Sequence, residues 1–124
     1  MKFMLLIWSN PQNWDALSAT ERQALAGDVL AEHAALDAAL IDSGELVVSA
    51  GLADPITTRM IRVRDGVVAS TDGPYAEAKE HLVGYYLVDC ENLDRAAEIA
   101  ARIPDARWDR VEIRAAMDIA GLEM

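Results

Sequence analysis

Very little in this chain can crosslink it, hold a metal by a familiar ligand spacing or grip a polyanion. Cys90 is the only cysteine in 124 residues, so an internal disulfide is impossible and a reducing, cytoplasmic setting is expected. Its place at the end of an apolar run, with no activating neighbour in sequence, reads as a small buried thiol. The two histidines, His33 and His81, form no His-x-x-x-His pair, and no metal centre is expected. A Gly-rich phosphate loop and a nucleophile elbow are both missing, and no cofactor is expected. Basic residues are scarce and scattered: eleven Lys and Arg stand against twenty-one Asp and Glu, for a net charge of −10. Such a chain repels phosphate backbones and anionic lipid, so neither nucleic acid nor a membrane is an expected partner. Long apolar runs are absent as well. The opening stretch Phe3 to Trp8 gives way at once to Ser9 and Asn10, which reads as a strand and not as a signal peptide.

What remains is the composition of a globular protein, 52% hydrophobic and 26% charged, long enough to bury a core within one domain spanning residues 1–124. Asn10-Pro11-Gln12 reads as a turn. Ser18 and Glu21 form a capping box that starts a helix, and Leu25, Val29, His33, Leu36 and Leu40 make one helical stripe ending at Gly44. Glu45 to Ala53 is a second strand. Thr58 to Arg64 alternates, Asp65-Gly66 is a two-residue hairpin signal, and Val67 to Ser70 returns. This hairpin is expected at the edge of the main sheet. Asp72-Gly73-Pro74 ends it, and Tyr75 to His81 has room for two helical turns at most. Another strand follows to Val88, then a helix capped by Asn92 with the stripe Leu93, Ala96, Ala97, Ala100 and Ile103, and a last strand from Trp108 to Ala115.

The order is strand, helix, strand, hairpin, strand, helix, strand, which predicts an α+β, ferredoxin-like βαβ-βαβ fold with an inserted β-hairpin. Two helices cover one face of such a sheet. Phe3 to Trp8 and Leu82 to Val88 are nevertheless apolar on both faces, so a second copy of the chain is expected on the other face. The alternative is a monomer in which the hairpin and tail cover that face.

The run Asp72-Gly73-Pro74-Tyr75-Ala76-Glu77-Ala78-Lys79-Glu80, followed by Gly84-Tyr85-Tyr86, resembles the YCII-related proteins, in particular their DGPF-domain branch. The resemblance extends from Lys2 to Arg114, with Tyr75 where the branch usually has phenylalanine. It implies a homodimeric α/β-barrel of two ferredoxin-like subunits. In the wider group a histidine eleven residues before a glycine is thought to form a site with an aspartate that precedes a proline after the second helix. His33 and Gly44 reproduce the first spacing, but Ile103 stands before Pro104. Asp72 is therefore the candidate acid for His33, with Glu77 and Glu80 behind it.

These residues suggest a small-molecule site beside the first helix, with His33 as acid or base and Asp72 orienting it. Gly73, Pro74, Glu77, Lys79, Glu80 and Tyr85 are the candidate ligand-binding residues. The reaction would be proton transfer or elimination on a small cyclic or carboxylated compound. Each residue also has a plainer reading. His33 could be a core histidine satisfied by a hydrogen bond, Asp72-Gly73-Pro74 an ordinary turn, and Glu77, Lys79 and Glu80 a solvated face. A second functional reading is a non-catalytic dimer that binds a ligand or protein in a regulatory role, since the resemblance implies a link to extracytoplasmic-function sigma factors.

Overall fold

The computed structural model describes residues 1–75 and 78–124. Its main sheet has four strands, β1 (Lys2–Ser9), β2 (Leu46–Gly51), β5 (His81–Asp89) and β6 (Arg110–Ala115), in the order β2-β5-β1-β6. Every neighbouring pair is antiparallel. This mixed α+β arrangement is compatible with a ferredoxin-like fold.

Alternation along the strands decides which side is core. Phe3, Leu5 and Ile7 of β1 and Tyr86 and Val88 of β5 are buried, and they face the helices. Two helices cover that face: α3 (Val29–Ser43) contributes Leu36 and Leu40, and α4 (Leu93–Ala101) contributes Ala96, Ile99 and Ala100. Ile103, just past α4, is fully buried with them. The stripe on α4 is rotated from the one expected, because Ile99 is buried while Leu93 is 55% exposed. A single large side chain at Ile99 outweighs the alanine spacing in setting the helix roll.

The expected first helix is broken. Two shorter helices, α1 (Pro11–Asp15) and α2 (Ala19–Ala26), precede α3. Ser18 caps α2 with the reciprocal Glu21 bond, as the capping box predicts. The break falls at Gly27 and Asp28, where glycine weakens the helix and Asp28 makes no side-chain cap. α1 forms where a turn is expected, because Asn10 accepts a bond from the Gln12 amide and Pro11 occupies the first helical position. Gly44 ends α3 in a left-handed conformation.

The hairpin is a separate two-stranded sheet of β3 (Arg59–Arg64) and β4 (Val67–Asp72), not an edge of the main sheet. Asp65 and Gly66 both take positive φ, 50° and 76°, as a tight two-residue turn requires. The Gly73 amide donates to the Thr58 carbonyl and closes the hairpin base. Both strands meet solvent on each side, which leaves Ile61, Val63, Val67 and Val68 exposed. Among residues 75 and 78–80 no helix forms, and the Ala78 amide donates to the Tyr75 carbonyl.

The other face of the main sheet carries Met4, Leu6 and Trp8 of β1 with Tyr85 and Leu87 of β5, all half-buried. Neighbouring Val48 is exposed. Among the described residues, α3 and α4 lie on the opposite face. No helix among the described residues is long and apolar enough to cross a membrane.

A two-pronged ion pair ties β2 to α4. Arg95 donates through Nε and Nη2 to Glu45 at 2.9 and 2.8 Å. That guanidinium, and then the Ser43 hydroxyl, hold the Glu45 carboxyl down to about 2, from an ordinary 4.5. A depressed carboxyl contributes stability above its unfolded value and loses it as pH falls through the folded one. Arg95 is about a third exposed, so solvent screening keeps the contribution small. Glu45→Gln should therefore melt below the wild type at neutral pH, with the gap closing as pH falls from 4.5 toward 2. A gap in melting temperature that ignores pH would contradict this.

Candidate functional site

His33 lies on the second turn of α3, on the side that overlooks β2 and β5. Four residues later, and therefore on the same helical side, comes Asp37. Opposite them β5 presents Tyr86, and the short 3₁₀ turn Pro104–Arg107 presents Asp105. These side chains form a connected row. The Tyr86 hydroxyl is 2.6 Å from His33 Nδ1, and Asp105 Oδ1 is 2.8 Å from Nε2. The two rings are nearly parallel, 16° between planes. At the far end the Ser49 hydroxyl of β2 reaches both oxygens of Asp37 at 3.1 Å.

The row borders an open cleft of about 330 Å³. Ile7, Leu30 and Val83 supply its apolar lining, and Ala50, Gly51 and Gly84 its floor. Gly51 and Gly84 sit opposite each other in the β2–β5 register. A Cβ at Gly84 would come to 3.0 Å from the Ala50 carbonyl oxygen, so glycine is what lets the two strands and the cleft floor coexist.

Burial, and then the charges of Asp37 and Asp105, push the Tyr86 phenol well above its ordinary value. The phenol therefore keeps its proton, for which the Asp37 carboxylate and His33 Nδ1 are both acceptors. This leaves Nε2 to carry the hydrogen shared with Asp105, which fixes both the tautomer and the tilt of the ring.

The acid beside His33 is thus Asp105, immediately after Pro104, and the expected pairing with Asp72 is not made within the subunit. Asp72 ends β4, its side chain 90% exposed and 3.6 Å from Arg59 across the hairpin. The separation follows from topology, since the detached hairpin carries Asp72 away from α3. Gly73 takes positive φ in the turn after it. Pro74 and Tyr75 line a second cleft, at the hairpin base, together with Glu80 and His81. Tyr75 also accepts a bond from Arg62. Lys79 is exposed, and Glu80 pairs with Arg110. Glu77 lies outside the described residues. Tyr85 points to the face of β5 away from the His33 cleft, and its neighbour Tyr86 occupies the cleft side. Asp37, Ser49 and Asp105 are absent from the sequence reading. The spacing of four from His33 is the signal that could have found Asp37, and an acid directly after Pro104 the signal for Asp105.

Cys90 is buried, and burial pushes its thiol up, away from thiolate chemistry. Among the described residues no three His, Cys, Asp or Glu side chains stand together as a metal site.

The chain is 29% identical over 106 residues to an uncharacterised protein of Rhizobium meliloti, an alignment covering 86% of this chain and 82% of that one. A sequence model of the YCII-related domain matches residues 1–120. With nearly the whole chain inside that match, the protein belongs to the YCII-related domain family.

Proposed function

We propose that the cleft beside α3 binds a small organic molecule and moves a proton on it, with Asp105, His33 and Tyr86 acting as one relay. The observation that carries this reading is the unbroken row of hydrogen bonds, 2.8 Å from Asp105 to His33 and 2.6 Å from His33 to Tyr86, along the wall of a cavity. Both ring nitrogens are already engaged, so the group nearest the ligand is the phenol oxygen. As a bound carbon acid loses its proton to that oxygen, the phenol passes its own proton to Nδ1. The imidazolium that forms is stabilised by Asp105, and the electron pair stays on the ligand as an enolate or leaves with a departing group. The reverse sequence delivers a proton.

We further propose that the uncovered sheet face is buried against a second copy of the chain. Met4, Leu6, Tyr85 and Leu87 support this, since an apolar patch on a sheet interior has no reason to stay in water. The Asp72 to Gly84 run supports placing the chain in the DGPF branch of its family. A role for Asp72 in the reaction would require it to reach a cleft other than that of its own subunit.

The test of the relay is solvent-deuterium incorporation into a panel of small enolisable compounds in D2O, followed by NMR. Wild-type protein should accelerate exchange in at least one member of the panel. Tyr86→Phe keeps the ring and removes only the hydroxyl, and it should slow that exchange by about tenfold or more. Equal rates for wild type and Tyr86→Phe would contradict the relay.

A further inference from the structure

The charge of the cleft narrows what can enter it, an inference that rests on the cleft being the ligand site. Asp37 and Asp105 both line it, and no lysine or arginine does. The nearest cation on the adjoining turn, Arg107, is turned outward and held by Glu32 at 3.2 and 2.5 Å. The two carboxylates also differ. Asp105 is matched to His33, whereas among the described residues no lysine or arginine pairs with Asp37. Elsewhere Glu32, Glu45 and Glu80 each have an arginine. The Ser49 hydroxyl, spread over both Asp37 oxygens, and the Tyr86 phenol, on which His33 Nδ1 also draws, bring at most two hydrogens to a group with about four acceptor positions. A half-buried carboxylate with spare lone pairs facing a cavity is poorly compensated by protein alone, and a cation placed there would gain both charge and hydrogen bonds.

We infer that the ligand is a small organic cation: a protonated primary or secondary amine on a compact apolar body. The ammonium group donates to Asp37, while the body lies over Gly51 and Gly84 and against Ile7, Leu30 and Val83. The bare glycine floor favours a flat or ring-shaped body, because no side chain rises from it. A carboxylated ligand meets two like charges and no counter-charge in the same space. The net charge of −10 works in the same direction, drawing cations toward the surface.

Benzylamine and benzoate share a ring and carry opposite charges, so they make a matched pair of probes. Titrating each into ¹⁵N-labelled wild-type protein at neutral pH should shift the Gly51 and Gly84 amides with benzylamine and leave them in place with benzoate. Asp37→Asn, checked for an otherwise unchanged spectrum, should weaken benzylamine at least tenfold. The inference is overturned if benzoate moves those amides as strongly, if benzylamine leaves them unmoved, or if Asp37→Asn binds benzylamine as the wild type does. The comparison of the two probes on wild-type protein stands whether or not the variant folds. Failure here is separable from failure of the relay: deuterium exchange that needs Tyr86 together with a preference for benzoate leaves the chemistry and removes the ligand class. A benzylamine preference with exchange indifferent to Tyr86 does the opposite.

Discussion

His33→Gln should reduce the protein's catalysis of deuterium exchange by roughly 10²- to 10⁴-fold, the usual contribution of a positioned acid–base group. Glutamine is long enough to bond Tyr86 or Asp105, so local packing survives. It cannot take up a proton, and the phenol then has nowhere to send its own. The fold should tolerate the change, because His33 is a quarter exposed and stands outside the buried core of Leu36, Leu40 and Ile99. Far-UV circular dichroism and melting temperature close to wild type, with exchange lost, is the expected combination. Loss of both would point to a structural histidine, and full exchange would remove His33 from the chemistry.

Leu87→Glu should split the proposed dimer. Leu87 sits in β5 opposite Met4 of β1, on the face away from α3 and α4. In a face-to-face pair of sheets each carboxylate would be carried into an apolar interface, and the two-fold symmetry would place two of them there. Removing a charge from water without a partner costs several kcal/mol, enough to weaken association by a hundredfold or more. In an isolated subunit the same glutamate reaches solvent, so the fold itself should persist. Sedimentation velocity should show wild type at twice the 13.5 kDa chain mass and Leu87→Glu at the chain mass. Wild type sedimenting as a single chain at high concentration would contradict the dimer.

The fold was legible because its signals are local. Capping by Ser18 and Asn92, the stop at Gly44 and the Asp65-Gly66 turn are each set by residues close in sequence, and the structure has all of them. The two-faced apolar strands were legible for the same reason, since alternation shows directly in the string. Less legible was how strongly two nearby residues, Gly27 and Asp28, would interrupt a long helical stripe. Where the hairpin goes was not legible at all, because β3 and β4 pair only with each other and nothing in their alternation says so.

The candidate site divides along the same line. His33 stood out because a polar ring on an apolar stripe is anomalous within one helix. Its partners did not, since Tyr86 and Asp105 lie 53 and 72 residues away and meet it only through the sheet order and the turn after α4. Asp72 drew attention through a distinctive local string, but a distinctive string can record a turn. Its ion pair with Arg59 and its exposure fit that plainer role. Tyr85 and Tyr86 show how narrow the margin is: one residue of strand phase decides which of two adjacent phenols enters the cleft.

The most direct test sets the two acids and bases of interest side by side in one deuterium-exchange assay: wild type, His33→Gln and Asp72→Asn. The relay predicts exchange abolished in His33→Gln and unchanged in Asp72→Asn. Undiminished exchange in His33→Gln, or its loss in Asp72→Asn, would contradict the assignment of the chemistry to the cleft of His33, Tyr86 and Asp105.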